Sequence, residues 1–316
     1  MSYTTIRVSA PGSIMITGEH AVVYGYPSIV CAIDQRITVE ALPLTERRVE
    51  IVSDIGPPMT LPLEFVSKGG RYRFILSAVE FFSNRLKHGV RLTISSKIDP
   101  SLGLGSSAAV TIASLAALAT MVGEDLGQSL YTKALTIVRR NEGRGSGADL
   151  AASIFGGMLA YKLPTELLDK VPAGEISAEI TQLPTPPILS LCHSGYKTPT
   201  PVVLAKVARS MVGREAAFEV LYQRMGQAAA DAIVFAKKQD WLAFGAAISE
   251  YQGMMEELDV SDPTLGKIVG DALACPATIG AKISGSGLGD CVLAVGAVPI
   301  GFFQVTATSE GLRIDD

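Results

Sequence analysis

Four short stretches of this 316-residue chain set small residues beside carboxylates and hydroxyls in patterns that can do chemistry. SLGLGSSAAV, residues 101–110, places Gly103, Leu104, Gly105, Ser106, Ser107 and Ala108 directly before a long run of small apolar residues. A helix start carries unsatisfied N–H groups and about half a positive charge, and glycines let the backbone approach a bulky anion closely. The stretch therefore reads either as a structural loop with a helix cap or as a phosphate cradle. In the second reading the Ser106 or Ser107 hydroxyl is free to reach a Mg2+ ion. The stretch is not a P-loop, because it lacks GxxxxGK[ST], and it does not match GxGxxG.

The second stretch, GRGSGADLAAS (143–153), puts Asp149 among small residues. Asp149 is either a helix cap or a carboxylate held close to a substrate hydroxyl in a water-poor setting. The third, SGSGLGD (284–290), reads as a tight turn between strands or as a loop that closes over a ligand. The fourth, APGSIMITGEHAVVYGYP (10–27), places Glu19 and His20 together after an apolar strand. Such a pair ordinarily lies on the surface. Apolar residues on both sides point here to partial burial beside a ligand.

The elements that must carry these stretches are legible from periodicity. IRVSA, SIVCAI, ITVEALPL, RRVEIVS and VRLTISSKI are short β-rich runs, so the first 100 residues read mostly as strands and turns. Residues 71–88 have apolar side chains at helical spacing, including Phe74, Ile75, Ala78, Val79 and Phe82. A helix follows the Gly/Ser stretch, and another over SLYTKALTIVRRNEG stops at Gly143. Between about 163 and 187 the chain turns rich in Pro and polar residues, which predicts a surface excursion or linker. ILSLCHSGYKTPT reads as strand and loop, and two or three amphipathic helices fill Pro201 to Val260. Strands around the third glycine stretch and GFFQVTATSEG close the chain. Strand-rich ends around helical middles favour an α+β protein with two lobes over a regular βαβ repeat. The division is expected near 185, with lobes 1–185 and 186–316.

With 48% hydrophobic and 18% charged residues the chain has ample material for a packed core. A net charge of −4 argues against a general nucleic-acid or anionic-membrane binder. Cys31, Cys192, Cys275 and Cys291 form no CxxC pair, which reads as reduced, mostly buried thiols. The N-terminus has no apolar signal core. The most apolar helical run, Ala108 to Val122, is shorter than the roughly 20 residues a membrane span needs. A soluble, cytoplasmic protein with a small-molecule substrate, and neither nucleic acid nor membrane as partner, is the expectation.

Taken together, APGSIMITGEHAVVYGYPSIVCAI, GLGSSAAV, GSGADLAASIFGG and AKISGSGLGDCVLA resemble, in order and spacing, the GHMP small-molecule kinases. The likeness runs from residue 8 to about 295, and GLGSSAA is its strongest motif. The resemblance implies a two-lobed fold with the active site in the cleft between lobes, and ATP with Mg2+ as cofactors. It implies that the loop 103–107 with Ala108 binds ATP phosphates, that Ser107 is a Mg2+ ligand, and that Asp149 is the base toward the substrate hydroxyl. Glu19, His20 and Ser13 would line the substrate pocket, and Gly285, Ser286 and Gly287 would close over it. Within the family GEHAVVYGYP resembles mevalonate kinases, whereas GSGADLAAS and SGYKTPT also resemble phosphomevalonate kinases. The activity implied is transfer to the primary hydroxyl of mevalonate. Phosphomevalonate kinase is the runner-up, with Arg139, Arg140, Arg144 and Lys197 as cations for a substrate phosphate. A catalytically inactive ligand-binding relative is the reading from another class. Family members are often dimers, so a homodimer is one expectation.

Two departures from the family pattern bear on mechanism. Ser13 stands where mevalonate kinases usually carry a lysine that orients the hydroxyl. Lys197, Arg144 and Lys282 are the candidate replacements, Lys197 first among them. Val138 stands where an acidic Mg2+ ligand is often found, and Glu142 is the nearest acid.

Overall fold

The computed structural model describes residues 4–65, 69–143, 145–164 and 178–315. Strand β1 (Ile6–Thr17) runs antiparallel to β2 (Ser28–Leu44), with Val8 opposite Val39 and Ile14 opposite Cys31. SIVCAI and ITVEALPL are thus not two strands but one. The polar Asp34-Gln35-Arg36 break that separates them in sequence passes through β2 without interrupting it. The outer half of β2 pairs with β5 (Gly89–Ser96), and its first residues pair with β6 (Met158–Lys162). β3 (Arg48–Ser53) lies parallel to β5 and antiparallel to β4 (Gly56–Pro62).

β7 (Glu179–Leu183) adds to β6 at the sheet's edge, inside the region expected to be a surface excursion. Three of its five side chains are exposed, so an edge strand here leaves the polar composition of a loop. The neighbouring residues 165–177, which include most of LPTELLDKVPAGE, lie outside the described residues, as does Arg144.

One face of this sheet is covered by α1 (Arg73–Phe82), α2 (Ser106–Met121), α3 (Gln128–Glu142) and α4 (Ala148–Phe155). Every residue of α2 from Ala108 to Ala119 is buried. A helix apolar on all sides must be central, and α2 is wrapped by α1, α3, α4 and the sheet. That explains an apolar run too short to span a bilayer; among the described residues no helix is long and apolar enough to do so.

The second sheet is four-stranded and antiparallel, in the order β11 (Phe303–Val305), β8 (Leu189–His193), β10 (Cys291–Val295), β9 (Gly280–Ser284). Helices α5 (Thr200–Met211), α6 (Glu215–Lys238), α7 (Trp241–Glu257) and α8 (Pro263–Leu273) accompany it, α7 and α8 against β9. The chain's last strand, β12 (Arg313–Asp315), returns to pair with β1. Neither α8 nor β12 was expected from sequence. β12 has only three residues, too few for a period to register.

Two apolar clusters result. One fills the space between the first sheet and α1–α4 and continues to one face of the second sheet, through Leu191, Leu293 and Val295, and to Phe244 and Ile248 of α7; the other joins α5–α8 to the opposite face of the second sheet. The short 3-10 turn Ala21–Tyr24 straddles them, with Val22 in the first cluster and Ala21 in the second. The end of β1 and its turn therefore sit where the two halves meet.

Candidate active site

Gly105 caps α2 in the left-handed region, φ +67°, where a side chain is strained. A Cβ there would lie 2.1 Å from the Ser13 hydroxyl. The Ser13 N–H donates to the Leu104 carbonyl at 3.1 Å, so β1 and the glycine loop are tied together. The first helical bond of α2 runs from Ala109 N–H to the Gly105 carbonyl, so the N–H groups of Ser106, Ser107 and Ala108 are those a helix start leaves unpaired. The Ser106 and Ser107 side chains are half-buried at this helix start.

Asp149 is the second residue of α4, where the helix dipole favours a carboxylate. It does not cap its helix. Its Oδ1 instead accepts a 2.7 Å hydrogen bond from the Ser13 hydroxyl. The loop before α4 is held by Tyr161, whose hydroxyl donates to the Ser146 carbonyl at 2.5 Å and meets the Tyr131 hydroxyl at 2.6 Å. Burial pushes the Asp149 pKa up; the Ser13 bond pulls it down, and the charge of Glu19 pushes it up. A carboxylate made more basic by burial suits a proton acceptor.

Glu19 and His20 are buried, in agreement with the apolar flanks. The carboxylate of Glu19 meets the ammonium of Lys282 at 2.5 Å, and the Gly285 N–H donates to it at 3.4 Å. His20 Nε2 lies 2.9 Å from the Ser286 carbonyl, so Nε2 carries the proton and Nδ1 presents its lone pair. Burial lowers the His20 pKa and keeps the ring neutral. Glu19 and His20 thus bind the third glycine loop, the β9–β10 turn, to the end of β1.

That loop is clamped from its other side by residues 194–200. The Thr198 hydroxyl donates to Leu288 O at 2.5 Å, and the Asp290 N–H donates to Tyr196 O at 3.0 Å. Lys197 is half-exposed, donates to the Pro100 carbonyl at 3.3 Å and lies 3.4 Å from Asp290. It stands at the entrance of the first glycine loop rather than against Ser13. Lys282 is fully buried on Glu19 and likewise does not stand in for the missing lysine. Asp290 was not singled out from sequence, although it ends the quoted SGSGLGD. Its side chain is buried against Gly103, where an added Cβ would lie 3.2 Å from its carboxyl carbon. Burial raises the Asp290 pKa, and Lys197 opposes that.

Glu142 ends α3 and is half-buried. Burial raises its pKa, opposed by Arg73, and it feels the charges of both Asp149 and Lys197. Among the described residues no three His, Cys, Asp or Glu side chains cluster as a metal site. Mg2+ on a nucleotide ordinarily takes one or two protein oxygens and completes its shell with phosphate and water, which Ser107 and Glu142 suit in kind.

The family model for the GHMP kinases N terminal domain matches residues 73–157, and that for the GHMP kinases C terminal matches 230–297. A galactokinase galactose-binding signature matches residues 2–43. The chain is 29% identical to the mevalonate kinase of Pyrococcus furiosus over 313 residues, covering 92% of this chain and 89% of that one. A solved structure of the Lin0012 protein from Listeria innocua superposes with a TM-score of 0.83 at 21% identity, covering 99% of this chain and 100% of the other. The mevalonate kinase of L. major, solved in complex with R-mevalonate, superposes with a TM-score of 0.72 at 21% identity over 98% of each chain. With the glycine loops, the half-buried Asp149 and the Glu19-His20 turn all falling in the regions these models match, the chain belongs to the GHMP kinase family.

Proposed function

We propose that the protein transfers the γ-phosphoryl group of ATP, with Mg2+, to the primary (5-)hydroxyl of mevalonate, giving 5-phosphomevalonate. The observation that carries this reading is the placement of Asp149 at Ser13, with the glycine loop at the start of α2 on one side and the Glu19-His20 turn on the other. The N–H groups of Ser106, Ser107 and Ala108 donate to phosphate oxygens. The lack of a side chain at Gly105 lets β1 pass close beneath them. Ser107 and Glu142 hold the Mg2+, which when bound offsets phosphate charge.

Asp149 accepts the proton of the acceptor hydroxyl as that oxygen bonds to the γ-phosphorus. The bond to the bridging oxygen breaks and its electron pair leaves with ADP. The protein's contribution is alignment, charge compensation and one proton acceptor. Lys197 reaches across from the second half to the phosphate loop, where its charge stabilises the transferring group.

Mevalonate is favoured over phosphomevalonate by the 29% identity to the mevalonate kinase of Pyrococcus furiosus over 92% of this chain. Of the cations expected for a substrate phosphate, Arg139 donates instead to the Gly145 carbonyl at 3.1 Å, and Arg144 lies outside the described residues. The galactose-binding signature over β1 and β2 supports a sugar as the second reading.

The test is ADP release with ATP and Mg2+, offering mevalonate, 5-phosphomevalonate and galactose separately, with the product identified by mass and NMR. Mevalonate is expected to turn over to its 5-phosphate. Turnover of either other acceptor alone would replace this assignment, and nucleotide binding with no ADP release from any would favour a ligand-binding relative.

A further inference from the structure

Lys282 is a fully buried ammonium in the middle of β9, a strand whose five residues are all buried. An isolated buried charge costs several kcal/mol, so it must be paired or it would lose its proton. Its partners are the Glu19 carboxylate at 2.5 Å and the carbonyl of Ile283, and it lies 5.6 Å over the Tyr251 ring. Burial lowers the Lys282 pKa, and Glu19 raises it back.

Glu19 is held by more than this one contact. The Tyr251 hydroxyl of α7 donates to the Glu19 backbone carbonyl at 2.6 Å, and the Gly285 N–H reaches the same carboxylate oxygen that Lys282 holds. The other oxygen, Oε2, is buried and has no hydrogen-bond partner, and the same is true of Thr17 Oγ1 and His20 Nδ1. Three unpartnered polar atoms within four residues are more than chance neglect in a structure where buried polar groups are nearly always satisfied. Two of them, Glu19 Oε2 and His20 Nδ1, can only accept while Glu19 is ionised and Nε2 carries the ring proton. They suit the hydroxyl groups of an acceptor, not its carboxylate. Replacing Lys282 by a neutral residue would leave a buried carboxylate without its cation and release the oxygen whose engagement orients the other.

We propose that Lys282 is a positioning residue for the phosphoryl acceptor. Its buried ammonium holds one Glu19 oxygen and so leaves the other offered to an acceptor hydroxyl, and through Glu19 it fixes the His20 turn against the third glycine loop. This assignment deepens the proposed kinase reading and rests on it for the identity of the acceptor.

The test compares Lys282→Met, Lys282→Arg and Glu19→Gln/Lys282→Met with the wild-type chain. Three quantities are read: thermal melting, steady-state kinetics with mevalonate and ATP varied separately, and amide hydrogen exchange over residues 17–25 and 284–291. Lys282→Met is expected to raise the KM for mevalonate by about tenfold or more while the KM for ATP stays within about twofold, the size of losing a hydrogen bond to a charged group. Exchange should quicken in the two named segments and not in α2. Lys282→Arg should recover most of the KM.

The double variant removes both buried charges together and is expected to melt close to wild type yet keep the raised KM. Recovery of both melting and mevalonate KM in the double variant would overturn the proposal, as would equal shifts in the two KM values. Should wild type prove silent with mevalonate, the substrate assignment fails alone. The exchange comparison still decides the role of Lys282, since unchanged exchange at 17–25 and 284–291 would refute it.

Discussion

The hydroxyl of Ser13 donates to Oδ1 of Asp149 at 2.7 Å, joining the middle of β1 to the first turn of α4 across 136 positions of sequence. This neutral donor occupies the position at which the resemblance to mevalonate kinases leads one to expect a lysine. The basicity of Asp149 is therefore raised by burial and by the like charge of Glu19, and lowered by one uncharged hydrogen bond. A base left comparatively strong is one way for the reaction to proceed without the lysine.

Asp149→Asn keeps an acceptor for the Ser13 hydroxyl and removes the proton acceptor. The turnover number is expected to fall at least about 100-fold, the usual lower bound for losing a general base. Circular dichroism and melting should stay near wild type, because the amide also removes a half-buried charge. Retention of more than about a tenth of the activity would remove Asp149 from the role of base.

Ser13→Ala tests the same pair through pH. The Ser13 bond favours the ionised carboxylate, so its loss raises the Asp149 pKa further. The active form is the deprotonated one. The acid limb of the kcat/KM profile should therefore move to higher pH, with the largest loss below the limb and little loss well above it. An acid limb that stays in place would show that some other group titrates there.

Much of this site could be read before the fold was known, because each motif is local: a glycine loop before a helix, an Asp among small residues, an acid–base pair after an apolar strand. The partners of those residues were less legible. Nothing in GSGADLAAS says that Asp149 turns away from its own helix toward β1, since that pairing is fixed only when α4 packs on β1. Lys282 was read as a spare cation, and its burial depends on α7 lying against β9. Its position within the apolar alternation of GAKIS was the available hint. β7 was hidden for another reason: an exposed edge strand carries the composition of a loop.

Gly105→Ala separates steric from conformational effects at the phosphate loop. An alanine at φ +67° costs roughly 1–2 kcal/mol from backbone strain, and its Cβ would also collide with Ser13. Gly123→Ala is the control, because it shares a left-handed backbone, φ +69°, but opens onto free space. Both variants should melt lower, Gly105→Ala by clearly more. Only Gly105→Ala should weaken ATP binding, measured by titration calorimetry. Equal effects on nucleotide affinity would mean that the loop before α2 is not where the phosphates lie.

Lys197 offers the sharpest division between a working cation and a solvated one. Its side chain is 40% exposed and its partner Asp290 is 8% exposed, so the pair lies at the rim of the phosphate loop. A half-exposed ion pair contributes no more than about 1 kcal/mol to stability. Removing the lysine alone would nevertheless strand a buried carboxylate, and that cost could be mistaken for a role in folding. Lys197→Met is therefore best made in an Asp290→Asn background, where neither charge is left uncompensated. Melting of the double variant should then remain within a few degrees of Asp290→Asn. The turnover number should fall by about 100-fold relative to Asp290→Asn, the scale for losing one preorganised donor to the transferring group. Equal turnover in the two proteins would make Lys197 a surface lysine and leave the transition-state charge to the N–H groups of α2 and to Mg2+.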